Sequence, residues 1–150
     1  MPTHIYPAPT QAGQDWLLSC TPDQAAVRAS WDAQQLAAIP TGPHWRVAEA
    51  SLHRTLEAIR RIGAAPHGPV LAETRRGLAW WLLPPGITDE LDDITVHPAG
   101  WELQCPSVER SMGGRWWLDI PDGTGQLTDP TLLGAAFGPG GYRHEGGGTQ

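Results

Sequence analysis

The sequence contains no lysine; all ten of its basic residues are arginines. Schiff-base catalysis and a phosphate loop that reaches its ligand through lysine are therefore excluded. Cysteine occurs only as Cys20 and Cys105. Neither has a second thiol or a histidine at ligand spacing, which implies two reduced, buried thiols rather than a zinc site or a disulfide framework. The histidines His4, His44, His53, His67, His97 and His144 are scattered, without an HExxH or HxH pair. A serine elbow and a GxGxxG fingerprint are also missing, so no cofactor is expected. No stretch approaches the roughly 20 apolar residues of a membrane helix. The opening MPTHIYPAP lacks a basic segment followed by an apolar run. A soluble, cytoplasmic protein without membrane contact is the expectation.

At 150 residues the chain suits one compact domain that buries roughly two thirds of the surface its unfolded form exposes. Sixteen acidic residues against ten basic ones give a net charge of -6, which opposes general binding to a phosphate backbone. The proline-bearing segment 1–13 reads as a flexible arm, 14–137 as the domain, and the glycine-dominated 138–150 as a disordered tail.

The centre of the pattern is GPVLAETRRGLAWWLLPPG, Gly68 to Gly86, a β-hairpin turning at Arg75-Arg76-Gly77. Leu78 to Leu83 is apolar on both faces, as a strand in the middle of a covered sheet must be. Thr21-Pro22-Asp23 has the form of a helix start, and the helix is expected to run through Trp31 towards Ile39. A second helix is expected over Ala48 to Ile62, with Leu52, Leu56 and Ile59 facing inward and Gly63 as its stop. Ile94-Thr95-Val96, Trp101 to Cys105 and Arg115 to Ile120 read as short strands, and Thr128-Asp129-Pro130 opens a short C-terminal helix. The expected fold is α+β: a mainly antiparallel sheet with one long helix packed on a face.

Eight tryptophans accompany one phenylalanine, and the pairs Trp80-Trp81 and Trp116-Trp117 stand on expected strands. Neighbouring strand residues point to opposite faces, so each pair puts one indole on either side of the sheet. With few elements left to cover the second face, one indole from each pair is expected to border a self-association or partner surface. Arg54, Arg60, Arg61, Arg75 and Arg76 form a candidate anion or nucleic-acid patch, against the plainer reading of a solvated face with dipole complementarity. Asp89, Glu90, Asp92 and Asp93 are the densest acidic cluster, and Asp119 with Asp122 could form a carboxylate pair. Neither spacing matches a calcium loop.

GPVLAE (Gly68 to Glu73), WWLLPPG (Trp80 to Gly86), RWWLDIP (Arg115 to Pro121) and QLTDPTLLGAAF (Gln126 to Phe137) occur in an order and spacing that resembles small actinobacterial proteins. Those proteins look like a shortened bifunctional DNA primase/polymerase N-terminal domain. The resemblance spans about Trp31 to Phe137 and implies an α+β scaffold. Active members carry a paired-aspartate strand motif and a histidine motif; here Asp92-Asp93 fall in an expected loop and Ser51-Leu52-His53 in an expected helix, so no catalytic residue carries over. The expected function is non-enzymatic, a regulatory or scaffolding role through a protein interface. Nucleic-acid or nucleotide binding is the alternative, and a metal or small-ligand enzyme using Asp89, Asp92 and Asp93 comes third.

Overall fold

A five-stranded antiparallel sheet with both faces covered carries the fold. The computed structural model describes residues 9–86 and 94–138. In chain order the elements are α1 (Pro9–Leu18), α2 (Gln24–Asp32), β1 (Ala37–Pro40), β2 (Arg46–Ser51), α3 (Leu52–Ile62), β3 (Val70–Glu73), β4 (Leu78–Leu83), β5 (Thr95–Val96), β6 (Glu102–Cys105), β7 (Arg115–Asp119) and α4 (Pro130–Phe137). The main sheet runs β5-β2-β4-β3-β7, and β1 pairs with β6 in a separate two-stranded ribbon. No described helix is long and apolar enough to cross a membrane.

The apolar run of β4 makes it the middle strand, as its pattern requires. β4 pairs with β2 from Leu83↔Arg46 to Leu78↔Ser51 and with β3 from Trp81↔Val70 to Leu78↔Glu73. Alternation sorts its side chains between two cores. Trp80 and Leu82 join Leu17, Leu18, Val27, Trp31, Ile39, Trp45, Leu103 and Trp117 on the face covered by α1, α2 and the ribbon. Ala79, Trp81 and Leu83 join Ala58, Ile62, Leu133, Ala136 and Phe137 on the face covered by α3 and α4.

Three expectations are corrected. Residues 9–13 belong to α1, whose first residue is a proline, a position where its missing N–H costs nothing; residues 1–8 and 139–150 lie outside the described chain. The first long helix is shorter: Asp23, not Thr21, caps α2 by accepting from Ala26 N at 3.0 Å, and Ala37–Pro40 is a strand on β6. Ala48 to Ser51 is likewise strand. Ser51 then caps α3, accepting from Arg54 N at 3.1 Å. Starting at Leu52 sets the inward stripe at Thr55, Ala58 and Ile62, and Leu56 is 44% exposed. β5 extends the main sheet through β2, while β6 belongs to the ribbon.

Close backbone approach fixes one loop junction. A Cβ on Gly68 would lie 2.7 Å from Gln126 O and from Leu127 Cα, so only glycine fits where the entry to β3 crosses the segment before α4.

Candidate functional site

The ribbon and the helices α1 and α2 cover the face that the sequence leaves bare, and this decides the fate of the tryptophans. Trp80, Trp81 and Trp117 are buried. Trp80 Nε1 donates to Glu49 Oε1 at 2.9 Å, Trp81 Nε1 to Thr55 Oγ1 at 3.1 Å, and Trp117 Nε1 to Pro106 O at 3.2 Å. These three indoles are core residues with satisfied N–H groups, which corrects their assignment to an interface. Trp116 alone of the four is half-exposed.

Trp116 stands on β7, whose only strand neighbour among the described residues is β3. Its Nε1 donates to Thr74 Oγ1 at 3.1 Å, which steadies the ring over the hairpin turn. Leu118 is half-buried, and Ile120 just beyond the strand is 38% exposed. Backbone bonding shows which groups of β7 face outward. Thr74 N donates to Gly114 O at 3.1 Å, and Met112 and Arg115 exchange bonds of 3.1 and 3.0 Å. By alternation the N–H and C=O of Arg115 and Trp117 point away from β3. Met112 takes those of Arg115; those of Trp117 lie on the open edge. A register shift opposite Val70 and Leu71 follows, and such bulges limit uncontrolled edge pairing.

A polar network lies inward of this edge. Buried Glu73 accepts from Arg115 Nε at 3.0 Å and from Arg76 Nε at 2.6 Å. The Arg115 guanidinium lies 4.2 Å from the centroid of the Trp80 ring and donates through Nη1 to Gln104 O at 2.7 Å, so it joins the sheet to the ribbon. The bond from Arg76, reinforced by Arg115, holds the Glu73 carboxyl down at about 2 against the opposing effect of burial. Glu49 completes the network by receiving His97 Nε2 at 2.9 Å as well as Trp80. His97 stacks on Trp101 with ring centroids 3.8 Å apart. Every named charge here has a protein partner, so the network reads as a latch.

A second pair ties the loop before β3 to the end of β7. His67 Nε2 lies 2.7 Å from Asp119 Oδ2, and its Nδ1 lies 3.3 Å from Ala65 O. Both neighbours are acceptors, which favours the doubly protonated ring. The Asp119 bond raises the His67 pKa above its ordinary value, with burial opposing. Asp122 instead accepts from Thr124 N and Oγ1 in a turn, so it and Asp119 have separate structural partners. No group of three or more His, Cys, Asp or Glu suited to a metal occurs among the described residues. Asp89, Glu90, Asp92 and Asp93 lie outside them.

The arginines do not converge on one patch. Arg54 Nη2 donates to Phe137 O at 2.6 Å and Arg61 Nη1 to Ala136 O at 2.8 Å, so two α3 residues satisfy carbonyls at the end of α4. The place of Arg60 and Arg61 in the last turn of α3 suggests only complementarity to their own helix dipole, and nothing local in the sequence signals the helix-to-helix use of Arg61. Arg60 and Arg61 line an open groove with Glu57. Arg75 and Arg76 sit in the β3–β4 turn, where Arg76 is committed to Glu73. Cys20 and Cys105 are buried free thiols, and burial pushes the pKa of both upward, which makes them poor nucleophiles. His53 is exposed, 3.6 Å from Glu57 one turn on. Comparison with family models, with curated proteins and with solved structures finds no match to this chain.

Proposed function

We propose that this protein is a non-enzymatic regulatory or scaffolding module that engages a protein partner along β7. The observation that carries this reading is the outer strand itself. It combines a steadied, half-exposed Trp116, half-buried Leu118, exposed Ile120 and an outward peptide group at Trp117. A rigid aromatic beside aliphatic contacts and an unpaired backbone rung is the composition of a strand-recognition surface. The polar network beside it supports a binding role, because Glu73, Arg76, Arg115, Glu49 and His97 already hold one another.

Sedimentation velocity over a concentration series, with affinity capture from native lysate, tests the proposal. The expected result is one specific complex, homomeric or heteromeric, that Trp116→Ser and Ile120→Glu each weaken at least tenfold while the melting temperature changes little. A protein that stays monomeric and captures no partner overturns it. Nucleic-acid binding is the competing reading, and it demands steep weakening with salt. The expectation is no mobility shift with single- or double-stranded DNA at physiological salt. A clear shift abolished by Arg60→Ala/Arg75→Ala would replace the protein interface with a nucleic-acid one.

A further inference from the structure

The open edge of β7 is closed at one end. Gly113 and Gly114 have φ values of 61° and 79°, the left-handed pair of a two-residue hairpin turn. This turn folds Met112 back against Arg115, where the two exchange backbone bonds of 3.1 and 3.0 Å. Met112 therefore occupies the place that an added strand would need beside Arg115. One rung further on, the N–H and C=O of Trp117 point outward without a partner among the described residues. A strand laid on β7 from its Asp119 end can exchange both bonds with Trp117. It then has room for one more residue, a rise of about 3.4 Å, before it meets Met112. An uninterrupted strand, including β7 of a second copy, does not fit there. A chain that ends does.

Charge decides which end of a chain this place takes. Arg75, exposed in the β3–β4 turn, lies against Gly114, its Nε 3.2 Å from where a Cβ on that glycine would stand. Its guanidinium enters no ion pair among the described residues, whereas Arg76 beside it is held by Glu73. The far end of the edge carries Asp119, whose side chain is 40% exposed, and exposed Asp122. A carboxylate beside Met112 meets Arg75 and stays clear of both acids, while an ammonium in the same place is repelled. A chain whose carboxylate end reaches Met112 runs antiparallel to β7, as every pair in the main sheet does. Its side chains then follow the pleat. The last residue falls opposite Trp116 and the third-last beside Leu118, both on the α3–α4 side, and the residue between them shares the side of Trp117.

We infer that the β7 edge receives the free C-terminus of a partner protein, an extended segment with apolar residues at its last and third-last positions. This rests on the β7 surface proposed above and narrows it to one kind of partner. Full-length protein is screened against an array of hexapeptides with free C-termini, apolar at those two positions and varied elsewhere. The best binder is then followed at the Trp117 amide and the Trp116 indole in a nitrogen–proton correlation spectrum. Saturable shifts are expected at both signals, weakened roughly tenfold when the same peptide ends in a carboxamide or is extended by two glycines. Arg75→Ala, at an exposed position, is expected to weaken the acid peptide by a similar factor and to leave the carboxamide form unchanged; a merely structural effect would weaken both. If no peptide on the array binds, or if the carboxamide and extended forms bind as well as the acid, the inference is wrong. A lysate partner whose capture Trp116→Ser weakens would in that case still uphold the β7 surface, and the absence of any such partner would remove the surface as well.

Discussion

The two faces of the main sheet are sealed by different means. On the α3–α4 face most contacts are small and apolar: Ala48, Ala50, Ala58, Ala79 and Ala136 are buried and let the helices approach closely, with Trp81 meeting Phe137 edge-on. On the opposite face, indoles and guanidinium groups reach across long sequence separations to backbone carbonyls and carboxylates, as Trp31 does to Cys105 and Arg115 to Glu73. The first face is held mainly by burial, with directional bonds confined to Trp81–Thr55 and to the two α3 arginines that meet the end of α4. The second is held by directional bonds in a dry setting, where removing one partner strands the other.

The largest expected effect comes from the burial-held face. Trp81→Ala removes a fully buried indole, its edge contact with Phe137 and its bond to Thr55, and should cost about 3–5 kcal/mol in urea unfolding. A loss under about 1 kcal/mol would mean that α3 and α4 collapse into the space and that this face is softer than its packing indicates. On the bond-held face, Arg115→Met leaves the Glu73 carboxylate buried with only Arg76 and should cost about 3 kcal/mol. Adding Glu73→Leu to that variant should restore much of the stability. If the double variant is no better than the single one, the contact with Gln104 O or the Trp80 ring, not the charge pair, is what the guanidinium supplies.

Smaller effects sharpen the same contrast. Ser51→Ala removes the α3 cap and should cost about 1 kcal/mol, measurable as a shift in the urea midpoint with unchanged slope. The titrations of the two regions run in opposite directions. Glu73, depressed to about 2 from an ordinary 4.5, contributes stability that is complete above pH 4.5 and fades as pH falls towards 2. His67, raised by Asp119, contributes stability that is complete below its ordinary value of 6.5 and is lost as pH rises through its folded-state pKa. Stability profiles of Glu73→Gln and His67→Gln against pH should each flatten only the matching limb; flattening of the wrong limb would refute the assignment.

Much of the burial-held face is legible in the sequence. The β3–β4 hairpin, the central place of β4 and the start of α4 at Pro130 follow from local pattern, because each depends on periodicity or on a turn residue. β1 and the second half of β2 are not legible. Ala37-Ala38 and Ala48-Glu49-Ala50 favour helix locally, and they become strands only because Cys105, Leu103 and the whole of β4 lie alongside to pair with them. The candidate surface is half legible for the same reason. Trp116-Trp117 announces one indole on each side of a strand, but which one is covered depends on the ribbon, and the ribbon depends on β1. Partners such as Glu73 with Arg115, 42 residues apart, or Glu49 with Trp80, 31 apart, leave no local trace.

The β1–β6 ribbon also sets an order in time. Its register joins residues 37–40 to 102–105, and between them the chain must already contain β2, α3 and the β3–β4 hairpin. The entropy of closing so long a loop grows only as its logarithm, about 0.6 kcal/mol per doubling, yet the closure can be rewarded only once Trp80 and Leu82 present a surface for the ribbon to meet. The hairpin should therefore form early and the ribbon late. Substitutions such as Ile39→Val or Leu103→Ala would then speed unfolding and leave the refolding rate almost untouched, while Ala79→Gly in β4 would slow refolding. On that order, the last strands to pair would be the ones that close the tryptophan core.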